Sequence, residues 1–140
     1  MRYLLTLLLF LSFSSPLFSE DKDTTRTVFV GDTVLISECP KAGFKFIQYY
    51  QKTRFVNPNA TYNKETGEDF YEYFFGDGDF DVKVLPCEYG SKGYRIISIR
   101  TLVDKNTGAD RPVMFLDLGL NTVAWVELNG AVDAMEIYLE

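Results

Sequence analysis

The chain has 140 residues, a formal net charge of −6, 16% aromatic residues, two cysteines and no histidine. Without an imidazole, Ser-His-Asp and Cys-His hydrolases and His-ligated metal sites are excluded. Two thiols are too few for Cys-rich zinc sites or iron–sulfur clusters. Scattered lysines and arginines on an acidic chain argue against a nucleic-acid partner.

Met1-Arg2-Tyr3 carries one positive charge, Leu4 to Leu11 is apolar except for Thr6, and Ser12 to Ser19 is rich in serine with Pro16 inside it. That is the layout of a secretory signal. The apolar run is shorter than the roughly 20 residues of a membrane span, so cleavage after Ser19 is expected, with no stable membrane span afterwards. Losing Arg2, one of the 14 basic residues, takes the charge from −6 to −7. Residues 20–26 are a charged, flexible leader, and residues 27–140 are one domain.

Export places the protein in an oxidising compartment, either secreted or periplasmic, where a lone pair of cysteines is expected to bond. Cys39 and Cys87 each adjoin a proline, as Cys39-Pro40 and Pro86-Cys87. Proline is excluded from strand interiors, so the bridge is predicted to tie two strand ends.

The domain carries β punctuation throughout. Thr27 to Val30 and Thr33 to Ser37 flank the turn pair Gly31-Asp32. Phe44 to Tyr50 is predicted as a strand, although Phe44, Ile47, Gln51 and Phe55 also fit a helical stripe. Residues 57–67, dense in Asn, Pro and Gly, form a loop. Acids and aromatics then alternate through Phe75, ahead of a strand from Phe80 to Leu85. Tyr94 to Val103, Pro112 to Leu118 and Thr122 to Leu128 form a predicted antiparallel meander. Ala131 to Met135 is a short helical turn, and Glu136 to Leu139 is a closing strand.

About seven short strands in this length predict a mainly β protein, a small antiparallel barrel or sandwich with one short C-terminal helical turn. The element order is similar to that of SH3-like small barrels, which implies an architecture and no function.

Three constellations are chemically suggestive. Asp77, Asp79, Asp81 and Glu88 stand at positions one, three, five and twelve of a calcium-loop pattern. The pattern is broken by Val82, where the turn needs glycine, and by Pro86 and Cys87 inside the loop, which leaves a weak calcium site as the sole cofactor candidate. Glu65, Glu68, Asp69, Glu72, Asp77, Asp79 and Asp81 crowd one span, and paired carboxylates serve glycoside hydrolysis. Tyr49, Tyr62, Tyr71 and Tyr73 are candidates for an exposed recognition patch, because a tyrosine ring packs while its hydroxyl stays wet. Asn59-Ala60-Thr61 is an N-glycosylation sequon.

The expectation is a non-enzymatic, exported binding, inhibitory or interaction module. Its acidic and aromatic surface would meet a protein or carbohydrate outside the cytoplasm. A calcium-dependent adhesion or carbohydrate-binding domain and a small carboxylate-based glycoside hydrolase are the alternatives.

Overall fold

In the computed structural model the C-terminal meander forms as its hydrophobic pattern requires. Strands β4 (Gly93–Val103), β5 (Asp110–Gly119) and β6 (Thr122–Glu127) are antiparallel neighbours. The structure describes residues 28–139; the predicted signal at 1–19 and the leader at 20–26 lie outside the described residues. Around the meander pack β1 (Thr33–Ile36), β2 (Ile47–Arg54), β3 (Asp79–Val84) and β7 (Ile137–Leu139), with two short helices, α1 (Phe70–Phe75) and α2 (Leu128–Asp133). The sheet order is β3-β2-β6-β5-β4-β1-β7, and every neighbouring pair is antiparallel.

The protein is therefore mainly β, but among the described residues the sheet does not close into an SH3-like barrel, because β3 and β7 remain its two edges. It folds over instead. Gly93 to Arg95 of β4 pair with β1, whereas Ile96 to Val103 pair with β5, and the register shifts between Ile96 and Ser98. A bulge of this kind lets one strand turn a corner between two layers. Val34, Ile36 and Ile137 from the folded-back part thereby pack with Ile47, Met114, Leu116 and Val126 in one core. A second core covers the other face, where Ile97, Val113, Phe115 and Val123 meet Phe70 and Phe74 of α1. With core on both sides, Val113 to Leu116 of β5 are all buried.

Cys39 and Cys87 form a disulfide, with Cα atoms 5.1 Å apart. It joins the chain just past β1 to the 3₁₀ turn Cys87–Tyr89 just past β3. Those strands lie toward opposite margins of the sheet, so the bond staples the fold-over covalently where hydrogen bonding does not close it.

Four predicted elements differ from the observed ones. Residues 28–30 are no strand. Phe29 donates its N–H to Asp32 Oδ2 at 3.0 Å and accepts from Asp32 N–H at 3.0 Å, a turn that consumes the groups a strand would pair. The strand expected from Phe44 begins at Ile47, because the Glu136 carboxylate takes the N–H groups of Lys45 and Phe46. The acid and aromatic run ending at Phe75 contributes a helix, so the described residues hold two short α-helices and the 3₁₀ turn Cys87–Tyr89 rather than one C-terminal helical turn. The predicted C-terminal turn at Ala131 to Met135 is observed slightly earlier, as α2, and Met135 leaves it with φ +57°. Among the described residues, no helix is long and apolar enough to cross a membrane.

Candidate functional site: an aromatic cleft beside an acidic depression

The site is built by the loop before α1. Asn63 folds it, its side-chain oxygen accepting from the N–H groups of Glu65 (2.9 Å) and Thr66 (3.2 Å). Gly67 then packs against β4. Its φ is +76°, and a Cβ there would stand 2.5 Å from the Ile97 carbonyl oxygen, so the close approach requires glycine. Ser98 donates to the Gly67 carbonyl at 3.2 Å from the other side. Helix α1 starts immediately afterwards, and Phe70 and Phe74, four residues apart, share the face turned to the sheet.

Lys52 fixes the helix at its other end. Its ammonium is 0% exposed and donates to the carbonyls of Phe74 (2.7 Å) and Tyr73 (3.1 Å). These carbonyls belong to the last turn, which has no intrahelical donors left for them. The same nitrogen lies 4.5 Å from the Phe55 ring centre and 3.5 Å from an Asp77 oxygen. A cation among aromatic faces is favourable when it is also hydrogen bonded.

Between this loop, α1 and the β5–β6 hairpin lies a cleft of about 210 Å³. Phe70, Phe74, Ile97 and Val123 make its apolar floor, Phe55, Tyr62 and Tyr73 its aromatic wall, and Lys64, Asp117 and Leu120 part of its rim. The Tyr62 and Tyr73 rings stand 5.0 Å apart and tilted. Burial, reinforced by Tyr73 and Asp117, raises the Tyr62 phenol above its ordinary value, so it stays protonated and able to donate. Leu120 is 88% exposed at the hairpin tip. Beyond Tyr73 a second depression of about 350 Å³ is lined by Asn57, Thr61, Asp69, Glu72 and Asp77, with Tyr73 itself as the shared wall.

The four predicted tyrosines are divided by the fold. Tyr62 and Tyr73 meet in the cleft. Tyr71 lies elsewhere, beneath the Arg100 guanidinium at 4.4 Å and against Phe115 and Trp125. Tyr49 is on the opposite face of β2 from Tyr50, beside Tyr89 and with Lys83 4.9 Å from its ring centre. Phe55, Lys52 and Leu120 were not among the sequence candidates. Leu120 had a signal, an apolar residue between Gly119 and Asn121 at a turn where polar residues are usual.

The four acidic candidates take separate positions. Asp77 faces Lys52, and Asp79 accepts from Arg54 Nε at 2.7 Å. Asp81 sits opposite Gln51 on β3, while Glu88 lies in the 3₁₀ turn past the far end of that strand. Asp79 and the end of β3 are about 17 Å apart along an extended chain. Among the described residues, no three carboxylates or cysteines gather as ligands for one metal ion. Asn59 is exposed in its loop, its N–H held by the Asn57 side chain at 3.1 Å.

Two carboxylates are electrostatically committed. The Arg100 guanidinium, 2.6 Å from Glu72, holds that carboxyl below its ordinary range, and Arg54 does the same to Asp79. A glycosidase acid needs the reverse shift.

No family model, curated protein or solved structure matches this chain.

Proposed function

We propose that this is an extracytoplasmic binding module that seats one apolar or aromatic side chain of a protein ligand in the Tyr62–Tyr73 cleft, with basic groups of the ligand over the adjoining acidic depression. The observation that carries this reading is the position of Tyr73, which lines both depressions at once. Size supports a protein ligand. A cleft of about 210 Å³ is smaller than the roughly 300–1,000 Å³ that encloses a whole small molecule, but it suits a single anchoring side chain of the kind that dominates interfaces. Leu120 would extend the apolar contact, and the carboxylates of Asp69, Glu72 and Asp77 would speed the approach of a basic partner. The disulfide is compatible with an oxidising location. The lowered Glu72 and Asp79 carboxyls favour binding over acid catalysis.

The test is site-specific photocrosslinking. A benzophenone side chain at position 120, in protein exposed to its native extracytoplasmic fraction, is expected to yield a discrete adduct. That adduct should weaken with Tyr73→Ala and with added salt. Absence of any adduct, or one indifferent to Tyr73→Ala in a variant shown to be folded, would sink the reading.

A further inference from the structure

Among the described residues, strand β3 closes one end of the sheet with nothing paired on its outer side, and five of its six residues are exposed. Its polarity is fixed by two hydrogen bonds. Leu85 N–H donates to Ile47 O, whereas Lys52 N–H points away from β3, to Asn121 O. With the register Gln48↔Val84 to Lys52↔Phe80, the odd residues of β3 bond to β2. Phe80, Val82 and Val84 therefore turn their backbone N–H and C=O groups to the open edge.

The side chains alternate too. Phe80, Val82 and Val84 share the face that carries Tyr50, and Val82 and Val84 are 51% and 54% exposed there. Asp81 and Lys83 lie on the other face.

We propose that β3 pairs antiparallel with β3 of a second copy of this chain, with Val82 on the two-fold axis. In that register Val82 faces its own equivalent, Val84 faces Phe80 of the other copy, and all three edge positions pair by backbone hydrogen bonds. Asp81 then stands directly opposite Lys83 of the other copy, twice by symmetry, at the non-hydrogen-bonded sites where side chains come closest. The neighbouring registers fail. An axis on Asp81 sets that carboxylate against itself, and an axis on Lys83 does the same for the ammonium. Charged residues on an edge strand ordinarily guard it against pairing; their spacing here permits one pairing and penalises its neighbours. The result is one continuous sheet through two protomers, and because no residue of β3 lines the cleft or the acidic depression, it does not rest on the proposed function.

Sedimentation equilibrium of the purified protein tests this. A dimer that gains population with concentration is expected. Asp81→Lys sets lysine against Lys83 and should raise the dimer dissociation constant about tenfold or more. The swap Asp81→Lys with Lys83→Asp should restore it. Both positions are exposed, and thermal melts verify that each variant is folded. A protein that stays monomeric up to about 1 mM, a dimer indifferent to Asp81→Lys, or a swap that fails to restore association would each overturn the proposal.

Discussion

The Glu136 carboxylate and the backbone of Phe46 are hydrogen bonded at 2.9 Å across 90 positions of sequence, and the second carboxylate oxygen takes Lys45 N–H at 2.8 Å. Glu136 is buried, which is tolerable because both its oxygens are used. The Phe46 ring lies over Gly130, where a Cβ would stand 2.3 Å from it. Together these contacts clamp the entry to β2 against α2 and the start of β7. Glu136→Ala would orphan both N–H groups and is expected to cost about 3 kcal/mol or more. Glu136→Gln keeps one acceptor and should cost less. Urea unfolding monitored by fluorescence ranks the two.

Lys52 is the corresponding polar pin of the other core. Lys52→Met keeps the stem but leaves the Tyr73 and Phe74 carbonyls without their donor, with an expected loss of about 1–3 kcal/mol. Lys52→Ala adds a cavity beside Phe55 and Phe80, for about 2–5 kcal/mol. Near-UV circular dichroism should change in both, since the aromatic cluster loses its central contact. A Lys52→Met protein as stable as the parent would show that water caps the helix equally well.

Replacing Cys39 and Cys87 by serine should lower stability by about 4 kcal/mol, the chain-entropy value for a loop of this length. Because the bond joins the two margins of an unclosed sheet, the loss should appear first at β1 and β7. Hydrogen exchange with and without reductant distinguishes that pattern from uniform loosening.

The Glu72–Arg100 pair gives a pH dependence of known sign. Its carboxyl titrates below the ordinary glutamate range when folded. The stabilisation is therefore complete above the ordinary value and fades as pH falls through the lowered one. Both groups are substantially exposed, so the contribution is at most about 1 kcal/mol. The stability gap between the parent and Glu72→Gln should vanish at the acid end, as measured by thermal melts across that range.

Gly67→Ala is expected to cost about 1–3 kcal/mol, from its left-handed backbone and the collision with Ile97 O. It should also shift the loop that positions Tyr62, so the cleft-dependent adduct at position 120 would fall with it.

Local pattern made the meander legible. Alternating Ile, Val, Phe and Leu between Asn- and Gly-bearing turns leave few alternatives to β4, β5 and β6, and two cysteines flanked by proline identify their own bridge. Composition also excluded imidazole and thiol-cluster chemistry outright. The site was only half legible. Tyr62 and Tyr73 stand out as aromatics among acids, but nothing local distinguishes them from Tyr49 and Tyr71, which the fold sends elsewhere. Helix α1 was hidden because its six residues are too short for a helical period to show and are stabilised by a lysine eighteen positions upstream of its start.

Hydrophobic alternation and turn chemistry are written into neighbouring residues, so the amino-acid order alone specified most of the strands, the meander's turns and the crosslink. Which margin of the sheet stays open, which tyrosines share a wall, and which buried charges find partners depend on contacts between distant segments. Those contacts exist once the Ile97 bulge has folded the sheet over, and they were decided by packing and hydrogen-bond satisfaction in three dimensions.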